Sequence, residues 1–144
     1  MSRPLPTSLL MFIAARDASA RIFDALQASG FDDVTLAQSR LMMGLDPEGT
    51  RLSVLAARAQ IAKQTATALV DRLERAGYVE RVPDPADGRA RLVRMTPRAL
   101  AAIPHARAEE DRIEAEWAAH LGPERMARLR EGLEALREIT DPYL

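Results

Sequence analysis

The chain has 144 residues, 47% of them hydrophobic, 28% charged and 4% aromatic, with a formal net charge of −1 and no cysteine. Such a composition describes one globular domain of packed helices and excludes the disordered and collagen-like classes. The lack of cysteine excludes disulfides, thiolate metal sites and thiol redox switching, and no window approaches the roughly 18 apolar residues that a membrane span needs.

Charge is unevenly placed. Residues 51–98 hold ten Arg and Lys against five Asp and Glu, a balance of +5, while the remainder carries −6. A basic block inside an acidic scaffold points to one region that meets a polyanion. The opening MSRPLPTSLLMF runs into the charged IAARDASARIFD, a poor signal peptide, so a cytoplasmic protein is expected.

In chain order, apolar residues at 9, 10, 13, 14, 22, 23 and 26 predict a long first helix closed by Gly30. Apolar residues lie on both its faces, more than one partner helix requires. Thr35 with Gln38 three residues on is a capping-box pattern, which predicts a second helix from Leu36 to Leu45. DPEGTR then reads as a loop. Ser53 is placed to cap a short third helix through Arg58. After a break near Gln60 and Ile61, a fourth runs from Lys63 to Ala76 with Ala66, Leu69, Val70 and Leu73 on one stripe. Two short helices joined by a tight turn, the second amphipathic, describe a helix-turn-helix. The outward residues of the second, Lys63, Gln64, Thr65, Thr67, Ala68, Asp71, Arg72 and Arg75, include donors suited to phosphates and base edges.

YVERV and RARLVRM alternate as half-buried strands do, about a turn-forming PDPADG, and predict a hairpin over residues 78–95 bearing Arg81, Arg89, Arg91 and Arg94. Thr96 and Pro97 start a fifth helix, in which Pro104 removes one hydrogen bond and is expected to kink the axis. PERMARLREGLEALREI is a last helix with Met126, Leu129, Leu133 and Leu136 on its stripe.

A helix-turn-helix followed by an arginine-bearing hairpin is a winged helix: the fold class is mainly α with a small β wing. The recognition helix enters the major groove of double-stranded DNA, and the wing tip reaches the neighbouring minor groove, whose negative potential attracts arginine. Arg89 is the expected insertion residue, with Asp87 holding the tip. Gln64, Thr65, Ala68 and Arg72 are expected near bases, with Thr67 on the same face, and Ser53, Lys63, Arg75 and Arg91 near phosphates.

The stretch from Leu52 to Ala99, and within it LVDRLERAGYVERVPDPADGRARLV and MTP, resembles the MarR family of winged-helix transcriptional regulators. The resemblance implies a homodimer. Residues 1–33 and 97–144 would form a helical dimerisation region, and residues 34–96 a DNA-binding region presented to a pseudo-palindromic operator. It maps the base-reading helix onto Lys63 to Ala76 and the wing aspartate and arginine onto Asp87 and Arg89. It also implies a repressor that releases DNA when a small aromatic or anionic effector binds among the first, second and fifth helices. Met11, Phe12, Arg16, Met42 and Met43 are the candidate lining there, with Arg16 suited to an anion. Two positions depart from the family pattern. Ala62 stands where many members have a capping Ser or Thr, and Gln60 stands where many have Gly.

Nothing in the sequence points to an enzyme, a cofactor or a metal. It has no phosphate-binding glycine loop, no histidine-based metal motif and no cysteine nucleophile; His105 and His120 are its only histidines. Trp117 is expected to pack within the dimer body. The alternative to a regulator is a dimeric protein-interaction or small-molecule-binding module of the same fold without DNA binding.

Overall fold

The computed structural model describes residues 3–142, arranged as α1 (Thr7–Ala28), α2 (Leu36–Met42), α3 (Leu52–Ala59), α4 (Lys63–Arg75), β1 (Val79–Asp84), β2 (Asp87–Met95), α5 (Pro97–Leu121) and α6 (Pro123–Thr140). The chain divides into two compact units, one up to Arg107 and one from Ala108 onward.

In the first unit three of the helices stop by a common device. At the ends of α1, α3 and α4 one residue turns left-handed, and the next amide reaches back five residues to a helix carbonyl: Phe31 to Leu26, Ile61 to Ala56, Tyr78 to Leu73. This 6→1 closure satisfies end carbonyls and delivers an apolar side chain to the core just past each helix. Glycine takes the left-handed position after α1 and α4. After α3 it is Gln60, at φ 53°, the one non-glycine positive φ among the described residues.

The core of this unit is built from Leu41, Leu55, Ala56, Ala66, Val70, Leu73, Tyr78, Val79 and Val93, with Phe23, Phe31, Leu52, Ile61 and Leu69 packed against it. The predicted apolar stripe of α4 is thus the stripe the core receives. The capping box forms at α2, where the Gln38 amide donates to Thr35 Oγ1 at 3.2 Å and the Thr35 amide to Gln38 Oε1 at 3.0 Å. α2 ends at Met42 instead of Leu45, because the chain tightens into turns in which Gly44 and Leu45 donate to Leu41 and Met42. Ser53 does not cap α3. Arg51 occupies the N-cap and Ser53 lies inside the first turn.

β1 and β2 pair antiparallel from Val79↔Met95 to Pro83↔Arg91. DPEGTR is not only a loop. Thr50 is buried and exchanges both backbone hydrogen bonds with Val93, at 2.8 and 2.9 Å, adding a one-residue third strand to the hairpin. The close approach requires Gly49, whose φ is 106°, since a Cβ there would lie 2.9 Å from that of Leu92. Arg58 secures the same loop by donating to the Gly44 carbonyl at 2.7 Å and to Asp46 at 3.0 Å.

Tyr78 joins the elements. Its ring is 2% exposed, its hydroxyl donates to Asp33 ahead of α2, and Arg98 at the start of α5 stacks over the ring at 4.4 Å. Arg98 also donates to Asp33 at 2.8 Å and to the Ala76 carbonyl at the end of α4. Burial, and then the Asp33 carboxylate, push the Tyr78 phenol up to about 12. The Tyr78 hydroxyl, and after it Arg98, hold Asp33 below the usual carboxylate range. Thr96 begins α5 as expected, accepting the Ala99 amide and donating to the Gly77 carbonyl at 2.5 Å. The helix continues through Pro104, and His105 meets the Phe31 ring at 5.8 Å.

In the second unit, the rest of α5 and α6 are joined at Gly122–Pro123. Trp117, Met126, Leu129 and Leu133 line a groove of about 460 Å³ rimmed by Glu114 and Arg130. α6 buries no residue, and Leu129, Leu133, Leu136 and Ile139 remain exposed. α1 likewise buries none, leaving Leu9, Leu10, Phe12 and Ile13 exposed.

Gln60→Gly should raise the urea midpoint, by about 1 kcal/mol in unfolding free energy, because it removes a side chain from a left-handed position. Tyr78→Phe should cost about 1–2 kcal/mol at neutral pH. The folded pKa of Tyr78 lies above its ordinary value of 10.0, so its contribution is complete below that value and is lost as pH rises through about 12. The gap between wild type and Tyr78→Phe in urea melts should therefore narrow over that alkaline window.

Candidate nucleic-acid interface

α4 presents two faces of opposite character. Ala66, Val70 and Leu73 are buried, while Lys63, Gln64, Thr65, Ala68, Arg72 and Arg75 are all exposed. The split follows from 3.6-residue periodicity: once the core holds the apolar stripe, the remaining positions must face outward. Thr67 lies between the faces, and its hydroxyl donates to the Lys63 carbonyl at 2.9 Å, so its proton is used within the helix. Ala62 is the N-cap and supplies no side-chain hydrogen bond to the first turn.

The wing is shaped by its two aspartates. Asp84 Oδ1 accepts the Ala86 amide at 2.9 Å, and Asp87 Oδ1 accepts the Arg89 amide at 3.0 Å. Asp87 therefore holds the tip through the backbone of Arg89, leaving the guanidinium unrestrained. The strand register shifts between Pro83 and Asp84, which leaves Gly88, Arg89 and Ala90 without partners on the opposite strand. Arg89 and Arg91 are exposed. Ser53, on α3, is exposed as well.

The arginines of the basic block sort into two kinds. Arg81 donates to Asp71 at 2.7 Å and to Glu74 at 2.8 Å, Arg94 to Glu80 at 2.7 Å, Arg51 to Asp84 at 2.7 Å, and Arg98 to Asp33 at 2.8 Å. Among the described residues, Lys63, Arg72, Arg75, Arg89 and Arg91 form no ion pair. These five cations lie on α4 and the wing, the two elements a winged helix offers to a duplex. The Ala86 amide and then Arg51 hold the Asp84 carboxyl below its usual range, so this buried acid stays ionised at neutral pH.

Arg51, Asp84 and Thr50 escaped the sequence reading. A Thr between Gly and Arg just before a helix was the available signal for a short strand, but one residue carries no periodicity. The candidate pocket residues are dispersed by exposure. Met42 packs on the core and Met11 is half-buried, whereas Phe12, Arg16 and Met43 are exposed. Arg16 lies 5.8 Å from the Phe12 ring centroid, one turn along α1. Among the described residues no three His, Asp or Glu side chains gather as a metal site would require, and no helix is long and apolar enough to cross a membrane.

The MarR family model matches residues 32–90, from the segment before α2 into β2. Among solved structures, the transcriptional regulator PA4135 is 27% identical over 94% of this chain and 98% of its own, with a TM-score of 0.69. The transcriptional regulator Tm0710 from Thermotoga maritima is 25% identical over 94% of each chain, at a TM-score of 0.62. A structure of MarR is 26% identical over 93% of this chain and 96% of its own, at 0.72. No curated protein matches the sequence. The winged-helix region of this chain thus matches the MarR family model, and the chain as a whole is similar in fold to solved transcriptional regulators, a MarR among them.

Proposed function

We propose that the protein is a sequence-specific DNA-binding transcriptional regulator that acts as a homodimer on a pseudo-palindromic operator. The observation that carries this reading is the group of five unpaired cations on α4 and the wing, beside the exposed Gln64 and Thr65. A solvated helical face has no reason to keep its own acids paired by Arg81 while leaving Arg72 and Arg75 open. A polyanion-binding face does, because each open cation can release a counterion from the duplex. On this reading Gln64, Thr65, Ala68 and Arg72 face bases in the major groove, and Arg89 enters the minor groove. Lys63, Arg75, Arg91 and Ser53 lie along phosphates.

The dimer reading is supported by α1 and α6, which leave rows of leucines exposed and bury nothing of their own. Apolar surface of that extent on a soluble chain is usually covered by a partner. Residues 1–33 and 97–144 would then form the dimerisation region, with 34–96 the DNA-binding region; residues 1–2 and 143–144 lie outside the described residues. The regulator is a cytoplasmic repressor in this reading, and not an enzyme. A small aromatic or anionic effector would release it from DNA, with Arg16 beside Phe12 offering a cation and a ring on one helix.

Binding of the purified protein to its own upstream DNA, in a salt titration with excess nonspecific competitor, tests the proposal. The expected result is a complex of about 10 nM affinity or tighter that survives the competitor and weakens steeply with salt. Weak binding that the competitor abolishes would favour the interaction module without DNA binding. Arg89→Ala should weaken the complex by about tenfold or more and make the salt slope shallower by about one unit.

A further inference from the structure

Two arginines next to the interface, Arg51 and Arg81, are ion-paired to acids of the fold itself, and we propose that they are positioning residues that fix the wing's inclination on the helix-turn-helix. The inference rests on the DNA-binding reading above and concerns residues that touch no DNA in it.

Arg81 projects from β1 and bridges Asp71 and Glu74, which are three residues apart and therefore one above the other on α4. A guanidinium has several donors in a fixed plane, so one arginine can meet two carboxylates at once and define an angle as well as a distance. Its side chain is 22% exposed, which ties it down more firmly than a free surface arginine. Arg51 makes the second attachment. From the N-cap of α3 its Nε and Nη2 both reach Asp84 Oδ2, at 2.9 and 2.7 Å, and Asp84 is 8% exposed. The same carboxylate closes the wing turn through the Ala86 amide.

The wing is thus tied to α4 near its base and to α3 near its tip, on either side of the residues that carry the strand. Level with Arg81, the Thr50–Val93 bridge ties β2 to the segment preceding α3. Arg89 begins three residues beyond the wing turn. A hairpin attached at one point would let the backbone of Arg89 sweep an arc; attached at two, that backbone is held at a set distance from α4. A reader of two adjacent grooves gains affinity from such preorganisation, because less freedom is lost on binding. Arg81 has a second effect: it neutralises the two acids that would otherwise sit on the recognition helix facing phosphates.

A double-mutant cycle tests the inference. DNA affinity is measured for wild type, Arg89→Ala, the pair Arg51→Ala with Arg81→Ala, and all three together. If the two paired arginines set where Arg89 lies, Arg89→Ala should cost about tenfold in the wild-type background and less than about threefold once both are gone. Additive losses would overturn the inference while leaving the DNA-binding reading intact. An Arg89→Ala variant with wild-type affinity would sink the wing assignment and this inference with it. The pair Arg51→Lys with Arg81→Lys keeps the charge but loses the planar fork, and serves if the alanine pair does not fold. It should show the same reduced coupling to Arg89.

A readout free of DNA uses the cysteine-free chain. Spin labels placed through Ala57→Cys on α3 and Ala86→Cys on the wing turn should report a narrow distance distribution that broadens when both arginines are replaced. An unchanged width would overturn the inference.

Discussion

Tyr78 follows the glycine that ends α4 and precedes the first residue of β1, so the chain reverses from α4 to the wing around this buried ring. Its amide closes the α4 terminus on Leu73, its carbonyl receives the Thr96 amide at the start of α5, and its hydroxyl reaches Asp33 ahead of α2. Arg98 covers the ring and binds both Asp33 and the end of α4. Three segments distant in sequence thereby share one buried aromatic group. Burying a phenol is favourable only when its hydroxyl is satisfied. Asp33 satisfies it, and Arg98 in turn balances the charge of Asp33. The inclination of α4 against α2 and α5 depends on all three groups being present together.

From that frame the basic block acquires a division of labour that net charge alone conceals. A surplus of five positive charges over residues 51–98 describes a patch. The structure resolves it into arginines that hold the wing and the α4 terminus, Arg51, Arg81, Arg94 and Arg98, and cations left open, Lys63, Arg72, Arg75, Arg89 and Arg91. Partly buried pairs with good geometry organise a structure, and open arginines keep their donors for an external acceptor. The same residue type serves both ends because its environment, not its identity, decides which.

The departures at Gln60 and Ala62 bear on this same turn. Gln60 is left-handed at φ 53°, as the family's usual glycine implies, and Ala62 begins α4 with no side-chain cap. The turn keeps its shape because Ile61 is packed on the core and its amide closes on Ala56. Tertiary burial here overrides two local preferences, each worth about 1 kcal/mol. That is a tolerable cost for a turn anchored by an apolar side chain.

The sequence by itself determined the elements whose cause is local or periodic. The capping box at Thr35, the stripe on α4, the turn-forming PDPADG and the Thr96–Pro97 start each depend on residues within a few positions of one another, and the structure has them where their spacing implies. The winged helix was legible for that reason, as was the outward face of α4, which is whatever the buried stripe leaves. Misread were features with no period to detect: Ser53 as a cap instead of Arg51, the length of α2, and Thr50 as loop instead of strand. Which arginine pairs with which acid belonged to the tertiary structure alone. Arg51 and Asp84 are 33 residues apart and Asp33 and Arg98 are 65, so only the packed core brings them within hydrogen-bonding distance. Ion pairs between distant segments carry no sequence pattern of their own, because their partners are selected by geometry as the chain packs.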